Sequence, residues 1–257
     1  MCYDDTARPP HPPGPGGAAH GEDIVLTAAD GNRFAAYIAY PGNAQGAQVV
    51  IYPDVRGLHG FYKALALRFA EVGITALAID YFGRTAGLTA RDDSFEYMPH
   101  VQKMQLSSFF SDVNAALAQL RTGAGANQPI FTVGFCMGGS LSFFSATEAD
   151  FGFAGVIGFY AGMSRNMGGG KGNVLEEARH VKYPLLGLFG GADQGIPVEQ
   201  VHAFDEGLDA AGVEHEIVIY PGAPHSFFDR KFTDYAAESS DAWQRILGFI
   251  AAHSKQG

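Results

Sequence analysis

The chain has 257 residues, of which 47% are hydrophobic and 17% are charged, and this composition suits one sizeable globular domain with a buried core. The formal net charge of −10 argues against nucleic acid and anionic membrane surfaces as partners. No apolar stretch approaches the length of a membrane span, and no secretory signal is visible at the N-terminus. The two cysteines exclude a disulfide framework, and a reactive thiol indicates a reducing, cytoplasmic location.

Residues 1–20 are rich in proline and glycine, and this composition is typical of a flexible tail. From residue 21 onward, short β-rich runs alternate with longer stretches of helical periodicity, so 21–257 are predicted to form one domain. Strands are predicted at 23–28, 33–39, 47–52, 74–79, 129–134, 153–159, 185–190 and 215–220. Helices are predicted at 61–72, 101–121, 139–147, 197–211 and 235–252.

Several of the predicted strands are nearly uniform apolar runs, which are typical of parallel strands covered on both faces. The sequence therefore predicts an α/β fold, a mostly parallel, doubly wound sheet of about eight strands flanked by helices. Two longer segments, 83–100 and 161–175, show no clear periodicity. Loops of this length inside a compact domain tend to be functional lids or mobile segments.

The most informative motif is Gly134-Phe135-Cys136-Met137-Gly138, between an apolar run and a predicted helix. This layout predicts a strand, a tight turn and a helix, with a nucleophilic side chain at the apex. Gly134 and Gly138 remove side chains that would clash in so crowded a turn. The motif is the nucleophile elbow G-x-S-x-G of an α/β-hydrolase, with cysteine in place of serine.

A catalytic cysteine needs a base and an orienting acid, and the chain supplies both in the expected order. Asp193 follows the predicted strand 185–190, and His225 follows the strand 215–220. All three residues are predicted to meet beyond the carboxyl ends of the strands. The expected chemistry is attack of the Cys136 thiolate on an acyl carbonyl, with His225 moving the proton and Asp193 holding the imidazole.

Other residues near these strand ends are candidates for oxyanion and substrate binding. The N–H of Met137, at the start of the predicted helix, is one natural oxyanion donor, and the loop 53–57 is expected to supply the second. Arg56 and Arg84 both follow strand ends on the same side, where a guanidinium can hold a substrate carboxylate in bidentate fashion. His59 lies near the mouth of the predicted site and is a further candidate for contact with substrate.

The elbow, Asp193 and the pattern Gly222-x-x-His225-Ser226-Phe227 resemble the dienelactone hydrolase family, the carboxymethylenebutenolidase-like α/β-hydrolases. The resemblance runs from about residue 22 to the C-terminus. It implies a hydrolase that opens dienelactone to maleylacetate, a step in the breakdown of catechols. It also implies a small soluble protein with no metal and no organic cofactor, which we expect to be a monomer.

The resemblance assigns roles to four further positions. Asp54 matches a family glutamate that activates the thiol, although its side chain is one methylene shorter. Val55 matches the second oxyanion donor. Arg84 matches an arginine that binds the substrate carboxylate, whereas Arg230 stands one position later than the second arginine of the family pattern.

The leading hypothesis is a cysteine-dependent hydrolase that opens a lactone or small ester bearing a carboxylate through an acyl-enzyme. Its partner is then a small, anionic molecule. One alternative keeps the site and changes the substrate to neutral esters, since the fold and the triad do not fix it. A second alternative is a non-catalytic ligand-binding protein or redox sensor that uses the thiol alone.

Overall fold

The computed structural model describes residues 5–44, 46–167 and 170–254. Each of the eight predicted strands is present, with bounds that differ from the prediction by at most four residues. The strands are β1 (Ala19–Thr27), β2 (Arg33–Pro41), β3 (Gln48–Tyr52), β4 (Thr75–Ile79), β5 (Ile130–Phe135), β6 (Gly155–Phe159), β7 (Leu185–Gly190) and β8 (His215–Tyr220).

The helices also follow the predicted pattern, with one difference in the middle of the chain. They are α1 (Gly60–Glu71), α2 (Gly83–Ala86), α3 (Met98–Lys103), α4 (Leu106–Leu120), α5 (Met137–Ser145), α6 (Val174–Glu177), α7 (Val198–Ala211) and α8 (Ala236–His253). None of these described helices combines the length and the apolar character that a membrane crossing requires.

The predicted helix 101–121 is in fact two helices, because Met104 and Gln105 have extended backbones between α3 and α4. The apolar spacing continues across this break, since Val101, Leu106 and Phe109 are all buried. The periodicity therefore could not reveal it. The short helices α2 and α6 lie in the two segments that were predicted as irregular, and residues 168 and 169 of the second segment lie outside the described residues.

The strands form one sheet in the order β1-β2-β4-β3-β5-β6-β7-β8. β1 and β2 are antiparallel, β2 and β4 are antiparallel, and every later pair is parallel. The loops that follow β3, β5, β6, β7 and β8 consequently open at the same edge of the sheet. This is the edge where open parallel sheets place their sites.

Helices cover both faces of this sheet. Gly155 faces Phe249 of α8, whereas Gly158, three residues further along β6, faces Phe143 of α5. Because successive side chains of a strand point to opposite faces, α8 and α5 lie on opposite sides of the sheet. On the α8 side, the rings of Phe69 from α1 and Trp243 meet at 4.8 Å between centroids.

The prediction of a flexible tail over 1–20 differs from the structure in its described part. Pro9 and Pro10 are buried, and the indole N–H of Trp243 donates to the Pro10 carbonyl at 3.2 Å. Gly17 N–H donates to the Glu71 carbonyl at 2.7 Å, and β1 begins already at Ala19. Proline has no N–H to satisfy, so an extended proline-rich segment can pack on a core without leaving buried donors.

The junction between β5 and α5 is unusually close. A Cβ at Gly138 would overlap the carbonyl oxygens of Tyr52 and Pro53 at the end of β3. A Cβ at Gly134 would overlap the carbonyl of Gly138. Since the overlapping atoms all belong to backbone, rotation of a side chain cannot relieve either contact.

Gly138→Ala is expected to lower the free energy of unfolding by about 3 kcal/mol or more, because the added methyl has to push β3 and α5 apart. Gly248→Ala is the matched control, since Gly248 is exposed on α8 with open space around it. That change is expected to raise the free energy of unfolding by about 0.5–1 kcal/mol, the helix propensity difference. Urea unfolding measures both values, and equal stability of the two variants would contradict the close contact.

Candidate active site

Cys136 is the single residue between the end of β5 and the start of α5. It is the N-cap residue of α5, with φ 55° and ψ −113°, in the region that non-glycine residues rarely adopt. Its N–H donates to the Phe159 carbonyl at 3.1 Å, and its carbonyl accepts from Ser140 N–H at 3.2 Å. The half-buried thiol therefore sits on a strained but hydrogen-bonded turn at the positive end of a helix, where negative charge is stabilised.

His225 and Asp193 form a short hydrogen bond at the same edge. His225 Nδ1 lies 2.6 Å from Asp193 Oδ2, and the other carboxylate oxygen, Oδ1, accepts from Gly195 N–H at 2.8 Å. A carboxylate can only accept, so Nδ1 carries the proton and Nε2 is the accepting nitrogen of the neutral ring. The Asp193 side chain is 2% exposed and that of His225 is 33% exposed, which leaves the imidazole accessible from solvent.

Tyr160 connects the histidine to the cysteine turn. Its ring lies 4.8 Å from the imidazole of His225 between centroids, at 52° between the planes. The residue before it, Phe159, is the one whose carbonyl accepts the Cys136 N–H. The end of β6 thus contacts both the Cys136 turn and His225, so the two predicted catalytic residues lie at the same edge of the sheet.

The loop after β3 lies beside the start of α5, as the prediction for the second oxyanion donor requires. The Pro53 carbonyl faces Gly138, and Asp54 is buried with Oδ1 accepting from Arg56 N–H at 2.9 Å. Met137 is the first residue of α5, so its N–H is one of those without an acceptor inside the helix. The oxyanion roles of Met137 and Val55, and the activating role of Asp54, stay predictions.

Arg84 does not lie free at this edge, as the prediction of a substrate contact would require. Its guanidinium binds Asp112 at 2.8 Å and Asp30 at 2.6 Å, and it also donates to the Ser108 carbonyl at 3.1 Å. Two carboxylates of the chain therefore take the place that was expected for a substrate carboxylate. The prediction considered the strand end alone and not the turn and the helix that fold against it.

Arg56 and His59 are likewise engaged by other parts of the chain. The Arg56 guanidinium was predicted to hold a substrate carboxylate, but it is buried and donates to Asp93 at 2.6 Å. His59 caps α1 by accepting from a backbone N–H through Nδ1, and its Nε2 lies 2.6 Å from Asp5. Burial and the charge of Arg56 lower the pKa of His59.

One group of described residues could present ligand atoms to a metal ion, namely Asp5, His59 and Asp93, whose atoms lie within 4.8 Å of one another. His59 Nε2 already lies 2.6 Å from the Asp5 carboxylate, and Asp93 already accepts from the Asp5 N–H and from the guanidinium of Arg56. The group is therefore explained as the contact that holds the N-terminal segment on the loop after β4.

Arg230 is the predicted cation that does reach the catalytic edge. It is exposed and lines a cavity of about 480 Å³ together with Asp193 and His225, and Lys231 lines the same cavity. Two cationic side chains thus line the same cavity as His225, whereas Arg56 and Arg84 bind carboxylates of the chain.

Three residues near the site were missed in the sequence: Tyr160, Asp229 and Lys231. Tyr160 follows an apolar strand and reads as its last core residue, so no pattern distinguishes it. Asp229 carried a usable signal, because it occupies the position, four residues after His225, where the family pattern expects an arginine. Lys231 gave none, since an isolated lysine is ordinarily a surface charge.

Comparisons with known proteins identify the family of the chain. The model of the "Dienelactone hydrolase family" matches residues 34–254. A relative from Methylorubrum extorquens, named "Putative carboxymethylenebutenolidase", is 30% identical over 82% of this chain and 74% of its own length. The carboxymethylenebutenolidase of Pseudomonas putida is 27% identical over 90% of this chain and 96% of its own length.

The solved structures point the same way. A crystal structure titled "Putative Dienelactone Hydrolase", from Klebsiella pneumoniae subsp. pneumoniae, aligns with a TM-score of 0.79 at 25% identity. The alignment covers 91% of this chain and 99% of that one. Because the family model spans most of the sequence and the fold matches over nearly its whole length, the chain belongs to the dienelactone hydrolase family of α/β-hydrolases.

Proposed function

We propose that this hydrolase cleaves a lactone or small ester bearing a carboxylate, with Cys136 as nucleophile, His225 as general base and acid, and Asp193 as the orienting acid. The observation that carries the proposal is the 2.6 Å contact between His225 and Asp193. This contact fixes the imidazole tautomer with the proton on Nδ1, so that Nε2 is directed away from Asp193. The ring of Tyr160 holds the imidazole beside the cysteine turn.

The first half of the proposed reaction forms an acyl-enzyme. Sγ of Cys136, as thiolate, adds to the acyl carbonyl while His225 holds the thiol proton. Donors at the start of α5 and in the loop after β3 stabilise the oxyanion. When the tetrahedral intermediate collapses, the C–O bond breaks and His225 protonates the leaving oxygen. In a lactone that oxygen stays attached to the acyl chain, so the ring opens without release of a fragment.

The second half returns the free enzyme. Water enters the site, His225 takes a proton from it, and the resulting hydroxide adds to the thioester carbonyl. The thiolate leaves as the C–S bond breaks, and the carboxylic acid product dissociates. Apart from the water, these steps use only side chains and backbone N–H groups of the chain. A free thiol that must stay reduced suits a cytoplasmic location.

The preference for a carboxylate rests on Arg230 and Lys231. Both line the cavity that contains His225, on a chain whose net charge is −10. Local positive charge is needed to draw an anion to such a surface. We therefore propose a small anionic lactone or ester as the substrate, and dienelactone, with maleylacetate as product, is the first compound to test.

Cys136→Ala is expected to lower kcat by about 10³-fold or more, since the nucleophile and its covalent intermediate are lost. Cys2→Ser is the matched control and is expected to keep full activity. Turnover of p-nitrophenyl acetate measures both variants, and thermal melting checks that the fold persists. Mass spectrometry of rapidly quenched enzyme is expected to find an acyl group on Cys136. Unchanged turnover by the Cys136 variant would contradict the proposal.

Arg230→Ala is expected to raise KM for an anionic ester about tenfold, the effect of losing one charge-assisted hydrogen bond, and to leave KM for a neutral ester nearly unchanged. A p-nitrophenyl half-ester of a dicarboxylic acid and the ester of the monocarboxylic acid of equal length make the comparison. Arg84→Ala is the control, because its guanidinium binds Asp30 and Asp112. It is expected to lower the melting temperature and to change both KM values equally.

The alternative of a general carboxylesterase is decided by the same pair of esters and by dienelactone. Higher kcat/KM for the neutral ester than for dienelactone would favour it. Stable ligand binding at Cys136 with no acyl-enzyme would instead favour a thiol sensor.

A further inference from the structure

The turn that follows His225 contains a buried carboxyl group with an unusual set of neighbours. Asp229 is 1% exposed, and its Oδ1 accepts from the N–H of Arg230. Its Oδ2 accepts from the hydroxyl of Tyr160 at 3.1 Å. A second acid, Asp54 from the loop after β3, interacts electrostatically with Asp229. A buried acid beside another acid is costly unless one of the two holds a proton.

The hydroxyl that Asp229 accepts from belongs to the residue that connects base and nucleophile. Tyr160 is fully buried and has φ 34°, which is uncommon for a residue other than glycine. Its N–H donates to the Leu188 carbonyl at 2.8 Å, which fixes the backbone. The hydrogen bond to Asp229 fixes the far end of the side chain, and the ring between them contacts His225.

We propose that Asp229 is a positioning residue of the hydrolytic site: its carboxyl anchors the hydroxyl of Tyr160, and the anchored ring holds His225 beside the thiol of Cys136. The proposal rests on the proposed function, because it takes His225 as the base and Cys136 as the nucleophile. Asp229 itself touches neither the thiol nor the imidazole in this scheme and acts through the tyrosine.

The charge state of Asp229 makes this role sensitive to pH. Burial first, and then the charge of Asp54, raise the pKa of Asp229 to about 8. Below that pH the carboxyl holds its proton, and the only charge of the pair is on Asp54. Above it Asp229 ionises and places a second negative charge behind the ring of Tyr160, which is expected to make formation of the thiolate at Cys136 less favourable. Catalysis is therefore expected to decline as the pH rises through about 8.

The titratable groups around Asp229 come from several elements. Asp54 follows β3, and Tyr160 follows β6. Two further groups belong to the turn of Asp229 itself, namely the hydroxyl of Ser226 and the backbone N–H of Arg230. Beyond the tyrosine ring stands His225, with its partner Asp193. Since other groups can also contribute to the pH profile, the test has to isolate the part that belongs to Asp229.

Asp229→Asn isolates that part, because the amide has nearly the same shape and stays neutral at every pH. Its oxygen can accept from Arg230 N–H, and its nitrogen can donate to the oxygen of Tyr160. Asp229→Ala and Tyr160→Phe both remove the hydrogen bond. Asp241→Asn is the matched control, because Asp241 accepts from the hydroxyl of Tyr220 at 2.8 Å in a partly exposed place, with Arg245 as its ion-pair partner.

The kcat for p-nitrophenyl acetate is measured for each variant from about pH 6 to 10. Wild type and Asp241→Asn are expected to lose about fivefold in kcat above an apparent pKa near 8, and Asp229→Asn is expected to show no such fall. Asp229→Ala and Tyr160→Phe are expected to lose about tenfold in kcat at neutral pH with little change in KM, and the amide variant to lose less than the alanine variant. Persistence of the alkaline fall in Asp229→Asn, or wild-type kcat in Tyr160→Phe, would overturn the proposal.

A readout without substrate separates this proposal from the proposed function. In a Cys2→Ser background, the rate of alkylation of Cys136 by iodoacetamide is compared at pH 7 and pH 9. The rate at pH 9 divided by the rate at pH 7 is expected to be higher in Asp229→Asn than in wild type, because the negative charge of Asp229 no longer opposes formation of the thiolate. Equal ratios would overturn the positioning role. Absence of ester hydrolysis together with unequal ratios would count against the proposed function alone and would support the role of Asp229.

Discussion

The close approach of two backbones at the start of α5 is the constraint on which the site depends. Gly138 lies against the carbonyl oxygens of Tyr52 and Pro53, and Gly134 lies against the carbonyl of Gly138. This contact sets the height of Cys136 above the sheet and brings the loop after β3 to the amino end of the helix. The oxyanion donors proposed in that loop can lie close to Cys136 only because no side chain intervenes.

A second layer of contacts sets the orientation of the base. His225 is held by Asp193 on one nitrogen and by the ring of Tyr160 on its face. Tyr160 is in turn fixed by the Leu188 carbonyl and by Asp229. The site is thus built by the ends of β5, β6 and β7 and the turn after β8, and each of these segments contributes one part of the arrangement. The backbone segments at this edge of the sheet therefore set the positions of the side chains in the site.

The fold could be predicted because its signals are local: apolar runs and one hairpin turn signal indicated all eight strands. Cys136, Asp193 and His225 could be selected as candidates for the same reason, since each follows a strand within a recognisable turn, and their catalytic roles stay predictions. The arginines could not be assigned, because the partners of Arg84 are Asp30 and Asp112, which lie far from it along the chain. The same limit applies to the proline-rich segment, whose packing depends on Trp243 of α8. Pairing between distant charges and docking of a segment on a distant helix leave no periodicity in a sequence.

The hydrogen bond between Pro10 and Trp243 also has a consequence for how the chain folds. Its two residues are 233 positions apart, so it closes one of the longest loops that the sequence permits. The entropic cost of closing so large a loop is small only when the sheet and α8 already hold its ends close together. The proline-rich segment, although it is synthesised before the sheet, is therefore expected to be among the last parts to reach its native position.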